Sequence, residues 1–168
     1  MRQEITLLYI ILASVHAFVV SPRSRPFNAL SAAQRDSIEL FSPCKVNLFL
    51  RILRKRDDGY HDLASLFQAV GFGDDLTLKV LEESATSDSF SCNMEGVPTD
   101  STNLVLRALQ LMRDKTGQQM FFDATLFKNC PAQAGLGGGS ANAATAMFGC
   151  NELMGRPARQ EEVSRGDS

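Results

Sequence analysis

The order of elements legible in this sequence predicts an α+β domain, with a mixed or largely antiparallel sheet packed with helices. Three observations predict it. Val46, Leu48, Leu50 and Ile52 alternate with Asn47, Phe49 and Arg51, the period-2 signature of a strand, and Leu76, Leu78 and Val80 repeat it. Leu104, Ala108, Leu111 and Met112 recur at helical spacing. Residues 120–127 form an apolar, strand-like run that leads into a glycine-rich turn and then a helical pattern over residues 141–154. No internal repeat interrupts this order.

The connections follow from turn chemistry. Folded structure is expected to begin near Leu40. Residues 54–60 are a charged connection in which Asp58-Gly59 suits a tight turn. Residues 63–70 are apolar enough for a return strand, with helix as the alternative, and Asp74-Asp75 reads as a break before the next strand. Residues 82–91 are polar and read as a surface loop, followed by a short strand over 90–94. Ser101, Thr102 and Asn103 are all eligible to cap the helix beyond them, and Gly117 is its natural stop.

The segment Pro131-Ala132-Gln133-Ala134-Gly135-Leu136-Gly137-Gly138-Gly139-Ser140-Ala141 carries the most chemical information. Glycine permits positive φ and close approach of a ligand to the backbone. The unpaired N–H groups and dipole of the helix that follows favour an anion. Strand, glycine loop and helix N-terminus together point to a nucleotide seat and phosphoryl transfer. A P-loop is excluded because no Gly-Lys-Ser/Thr closes the segment, and a dinucleotide fingerprint fits poorly because Ser140 stands where its third glycine belongs. A flexible loop or a plain helix cap is the alternative. Ser140 has two readings of its own: a hydroxyl for phosphate or magnesium, or the helix cap.

Composition narrows the rest. A chain of 168 residues, 44 % hydrophobic and 21 % charged, is ordinary globular material for one domain. A net charge of −2, with no basic stripe, argues against a nucleic-acid partner. Cys44, Cys92, Cys130 and Cys150 are widely spaced, which excludes a zinc cluster, and four free thiols in a reducing compartment are expected.

Residues 1–17 read as a signal peptide: an apolar run behind Arg2, with Val15 and Ala17 small enough to precede a cleavage site. Residues 18–40 have transit-peptide composition, with Arg23, Arg25, Arg35 and several serines. Such a two-part leader, with Phe18 just after the junction, resembles those of algae with secondary plastids. Plastid import follows, with no stable membrane association once the leader is removed.

Three segments together resemble the GHMP kinases over about residues 41–155: Ser42-Pro43-Cys44-Lys45-Val46-Asn47-Leu48-Phe49-Leu50, Asp58-Gly59-Tyr60-His61-Asp62-Leu63, and the loop from Pro131 to Thr145. The loop indicates only the superfamily. The lysine–asparagine strand and the Gly-Tyr-His hairpin narrow the likeness to the branch acting on 4-diphosphocytidyl-2-C-methyl-D-erythritol in the plastid and bacterial isoprenoid pathway. The resemblance implies the GHMP kinase N-terminal domain over residues 41–168, with ATP and Mg²⁺ as cofactors and a small-molecule acceptor phosphorylated at its 2-hydroxyl. It implies a catalytic Lys45, which stabilises charge on the transferring phosphate, and Asn47, Tyr60 and His61 as substrate-binding residues. Residues Pro131 to Ala141 become the ATP loop.

Some features depart from the family pattern. Gln133 stands where relatives commonly have glycine, and Ala141 where many have a second serine. The family's catalytic aspartate lies in a Gly-x-Asp-x-Pro motif beyond the loop helix. Asp167, in Arg-Gly-Asp-Ser, does not match it. The polypeptide is therefore expected to be the N-terminal half of a kinase, without the C-terminal domain and nearly inactive alone. Another GHMP kinase with a different acceptor, or a non-catalytic nucleotide- or RNA-binding module, is the competing reading.

Overall fold

The computed structural model describes residues 36–158. The signal-peptide reading and most of the transit-like segment lie outside the described residues. Strand β1, Ser37–Lys55, starts three residues ahead of the expected Leu40 and pairs antiparallel with β2, His61–Val80. Then follow β3, Ser89–Cys92, helix α1, Leu104–Thr116, strand β4, Phe122–Phe127, and helix α2, Gly138–Leu153. The sheet order is β1-β2-β4-β3, with β2 and β4 antiparallel and β3 and β4 parallel. This is the mixed α+β sheet that the element order predicts.

One face of the sheet carries the core. Leu76 and Leu78 on β2 lie opposite Leu126 and Ala124 on β4, and Phe122 continues the row. Val105, Leu109 and Met112 of α1 and Ala143, Ala146, Met147 and Cys150 of α2 close over it. Burying each large side chain stabilises the fold by about 1.5–3 kcal/mol. Small residues let α2 sit close: a Cβ on Gly149 would come within 2.7 Å of Leu40 and 2.9 Å of Leu78. Asn103 is the N-cap of α1, its side-chain oxygen accepting from the Val105 N–H at 2.8 Å, and Gly117 ends the helix in the left-handed region.

Two expectations are corrected, and the exposure of β1 adds a third finding. Asp74-Asp75 does not break the chain: β2 runs through it, and residues 63–70 belong to the same strand. Local freedom comes from Gly73, where a Cβ would stand 2.1 Å from the Ser42 carbonyl oxygen and 2.8 Å from the Pro43 Cα, beside a shift in the β1–β2 register. The polar loop before β3 is not wholly at the surface. The Asp88 side chain is buried in an ion pair with Arg113 of α1 at 2.6 Å, and Asp88 also accepts from the Phe122 N–H at 2.8 Å. Finally, the alternating residues of β1 find no core beneath them. Leu48, Leu50 and Ile52, with Leu63 and Leu66 opposite, stay more than half exposed on the hairpin arm.

Gly73→Ala is expected to cost about 1–3 kcal/mol, because backbone rather than a flexible side chain meets the new methyl group. Urea unfolding of the two chains measures it; equal midpoints would contradict the close approach.

Candidate nucleotide-binding site

Strand β4 ends at Phe127, and Lys128-Asn129-Cys130 carries the chain into the glycine loop. Helix α2 begins at Gly138, three residues before the expected start. Gly137 is its N-cap, in the left-handed region at φ 68°, with no side-chain cap. Ser140 therefore stands in the first turn, which rules out its capping role. The N–H groups of Gly138, Gly139 and Ser140 precede the first intrahelical bond, from the Ala141 N–H to the Gly137 carbonyl at 2.9 Å. Residues 131–135 are exposed. The result is a row of backbone donors at a helix N-terminus, open to an anion. Gln133 takes φ 61°, the conformation that glycine would adopt with least strain.

Lys45 is brought to this loop. Its N–H donates to the Leu136 carbonyl at 2.9 Å, and its stem lies against Gly137, where a Cβ would be 3.0 Å from both Cγ and Cε. Its Nζ donates to Oδ1 of Asn47 at 3.1 Å, as expected of two residues on one strand face. Tyr60 and His61 are not brought to the loop. They stand at the exposed end of the β1–β2 hairpin, where His61 pairs with Lys55, ten residues along β1 from Lys45. At ~3.3 Å per residue that is roughly 33 Å of strand.

A buried network supports the loop from below, and it escapes the sequence reading. Asp74 is fully buried; its Oδ2 accepts from Lys128 Nζ at 2.6 Å and from Asn142 Nδ2 at 3.0 Å. Its Oδ1 accepts from the Asn129 and Cys130 N–H groups at 2.8 and 2.7 Å. Ser42 donates to Asn142 at 2.8 Å, so β1, β2, the loop entrance and α2 share one cluster. The signal was present. Asp74 has the parity of buried Leu76 and Leu78, and Lys128 that of buried Ala124 and Leu126, so two opposite charges sit on the core face of paired strands. Cys44 and Cys130 also meet here, both fully buried, with Cα atoms 7.0 Å apart.

Burial alone would raise the pKa of Asp74. The Lys128 ammonium, the Cys130 N–H, the Asn142 amide and the Asn129 N–H outweigh it and hold the carboxyl below its ordinary range. A depressed folded-state pKa contributes stability above the unfolded value, near 4, that is lost as pH falls through the folded value. Asp74→Ala, which leaves the Lys128 charge buried, is expected to cost about 3–5 kcal/mol at neutral pH. It is also expected to flatten the acid limb below about pH 4. Urea titrations at neutral and acid pH measure both; a variant with unchanged stability and an unchanged acid limb would contradict this role.

With the geometry in place, comparison with known proteins assigns the class. Residues 103–165 match the family model "GHMP kinases N terminal domain". A solved homoserine kinase from Cytophaga hutchinsonii superposes with a TM-score of 0.59 over 84 % of this chain and 46 % of its own, at 18 % identity, a likeness of fold alone. The described fold is that of the GHMP kinase N-terminal domain. Within that class its sequence is similar to the N-terminal part of 4-diphosphocytidyl-2-C-methyl-D-erythritol kinases. It is 51 % identical over 131 residues to the chloroplastic enzyme of that name from Arabidopsis thaliana, covering 78 % of this chain and 34 % of that protein. It is 48 % identical over 132 residues to the one from Protochlamydia amoebophila, covering 79 % and 44 %. The crystal structure of a 4-(cytidine 5'-diphospho)-2C-methyl-D-erythritol kinase superposes with a TM-score of 0.61 at 31 % identity, covering 77 % of this chain and 45 % of that one. The chain thus spans between a third and a half of the length of these relatives.

Proposed function

We propose that this chain supplies the nucleotide-seating half of an ATP-dependent small-molecule kinase acting on the 2-hydroxyl of 4-diphosphocytidyl-2-C-methyl-D-erythritol. The observation that carries the reading is Lys45 lying against Gly137 at the open N-terminus of α2. Phosphoryl transfer asks little covalent chemistry of the protein; it asks for positioning and for stabilisation of charge on the transferring group. Backbone N–H groups of Gly138, Gly139 and Ser140 would hold the phosphates, and the ammonium of Lys45 would meet the charge that develops between donor and acceptor. Asn47 orients that ammonium.

The residues suit a nucleotide better than a protein-held metal. Among the described residues no group of three or more His, Cys, Asp or Glu is placed to hold an ion. The nearest carboxylate, Asp74, is already engaged by Lys128, Asn142 and two backbone N–H groups. Ser140 offers a hydroxyl in the first turn of α2, which fits an Mg²⁺ carried mainly by phosphate oxygens and water.

For the acceptor, Asn47 stands beside Lys45. We assign Tyr60 and His61 to the cytidine end, by stacking and hydrogen bonding respectively. That assignment requires the hairpin arm to fold toward the loop from its observed place, where His61 pairs with Lys55. Exposure of both side chains leaves them open to a ligand. The two-part leader, together with the chloroplastic label of the Arabidopsis relative, supports a plastid location.

Titration of the 168-residue chain with a non-hydrolysable ATP analogue and Mg²⁺ tests the proposal. Binding is expected, and Lys45→Ala is expected to weaken it about tenfold, or 1.4 kcal/mol. Cytidine diphosphate should bind alongside the ATP analogue, while mevalonate and sugars should not bind. No nucleotide binding, or binding that Lys45→Ala leaves unchanged, would overturn the proposal.

A further inference from the structure

The start of α2 offers its neighbours little shape. From Gly138 to Ala144 the run is two glycines, a serine, three alanines and Asn142. Side-chain ridges that interlock with a neighbouring surface fix how a helix is turned about its axis, and glycine and alanine supply almost none. Nor does the helix end fix itself: Gly137 caps it without a side chain, and the first turn holds no acidic residue. Another group must set where the Gly138, Gly139 and Ser140 N–H groups stand.

Asn142 is that group. Its side chain is buried and both ends of the amide are engaged: Oδ1 accepts from Ser42 Oγ at 2.8 Å, and Nδ2 donates to Asp74 Oδ2 at 3.0 Å. Both partners are buried in turn, and they belong to β1 and β2. Ser42 stands three residues before Lys45 on the same strand, so one amide ties the helix to the strand that carries the ammonium. Turning or sliding α2 would strip a buried amide and a buried hydroxyl of their partners out of reach of water. A lone buried amide can therefore select one register, as a single asparagine does in a helical interface. The Lys45 N–H on Leu136 and its stem on Gly137 act on the loop, ahead of the helix.

We propose that Asn142 is the positioning residue of the nucleotide seat: held between Ser42 and Asp74, it sets the turn of α2 and with it the place of the Gly138, Gly139 and Ser140 N–H groups relative to Lys45. It acts through the helix and touches no phosphate. Asn151, buried at the far end of the same helix, bonds both backbone groups of Ala158 and provides the contrast, an asparagine that secures the helix without aiming its N-terminus. The consequence for phosphate affinity rests on the functional reading above; the consequence for the first turn does not.

Asn142→Leu, Ser42→Ala, the double variant and Asn151→Leu are compared with the wild-type 168-residue chain by urea unfolding and ligand-free amide NMR. Each is also titrated with the ATP analogue and Mg²⁺, and with inorganic triphosphate. Asn142→Leu keeps the side-chain volume, and Asp74 keeps Lys128 and the Asn129 and Cys130 N–H groups. It is expected to weaken both ligands about tenfold per folded molecule and to move the Gly138, Gly139 and Ser140 signals. Ser42→Ala should weaken both about threefold, and the double variant should be no weaker than Asn142→Leu, because the two groups share one bond. Asn151→Leu should lower the urea midpoint and leave affinity and those signals unchanged. If Asn142→Leu fails to fold, Ser42→Ala carries the test, since it removes a single hydroxyl. Wild-type affinity and first-turn signals in Asn142→Leu, or in Ser42→Ala where it alone folds, overturn the inference. So does an equal loss of affinity in Asn151→Leu. A wild-type chain that binds neither ligand removes the nucleotide reading, and the ligand-free signals then decide the positioning role by themselves.

Discussion

The arrangement depends on one buried ion pair. Asp74 and Lys128 face each other on the core side of two paired strands, within 2.6 Å and almost wholly out of water. Two such charges are costly to bury unless paired and fully hydrogen-bonded. Asp74 meets that condition by drawing in the Asn129 and Cys130 N–H groups and the Asn142 amide. The same bonds that satisfy the carboxylate therefore fix where β4 stops, where the loop begins and how the first turn of α2 lies. Every buried polar side-chain atom among the described residues finds a partner, which keeps this cluster specific to one arrangement.

From that anchor the site follows by short steps. The loop entrance is held to β2, so Gly137 and the first turn of α2 come up against β1, where Lys45 is waiting on both its backbone and its stem. Alanines along α2 keep the helix slim enough to be buried on nearly every side. The donors at its N-terminus are thus presented by a rigid element, and pre-organised donors of this kind hold a phosphate without reorganising. By contrast, the hairpin arm bearing Tyr60 and His61 exposes Leu48, Leu50 and Leu66 and takes no part in that core. An apolar surface of this extent is characteristic of a face that another body covers.

Much of this was legible in the sequence, and the misses have physical causes. A helix cap among Ser101, Thr102 and Asn103, the stop at Gly117 and the glycine turn are local signals; the structure selects Asn103 as the cap and begins α2 a turn early because Gly137 caps it. The resemblance on Lys45 and Asn47 brought the right strand to the loop. Asp74 was misread because a paired aspartate looks like a break when propensity is judged alone, while its shared parity with Leu76 and Leu78 pointed inward. Cys44 and Cys130 are far apart in sequence, and only the fold sets them side by side. Alternation along β1 gave the strand correctly, but period cannot say whether anything covers the face it defines.

The central claim is that phosphate rests on the backbone of this loop. The most direct test is the amide NMR spectrum of the isotopically labelled chain, recorded as an ATP analogue with Mg²⁺ is added. The account predicts that the Gly135, Gly137, Gly138, Gly139 and Ser140 amides shift first and most, with Lys45 moving alongside them. Shifts confined to the hairpin arm, or a spectrum that nucleotide leaves unchanged, would contradict it.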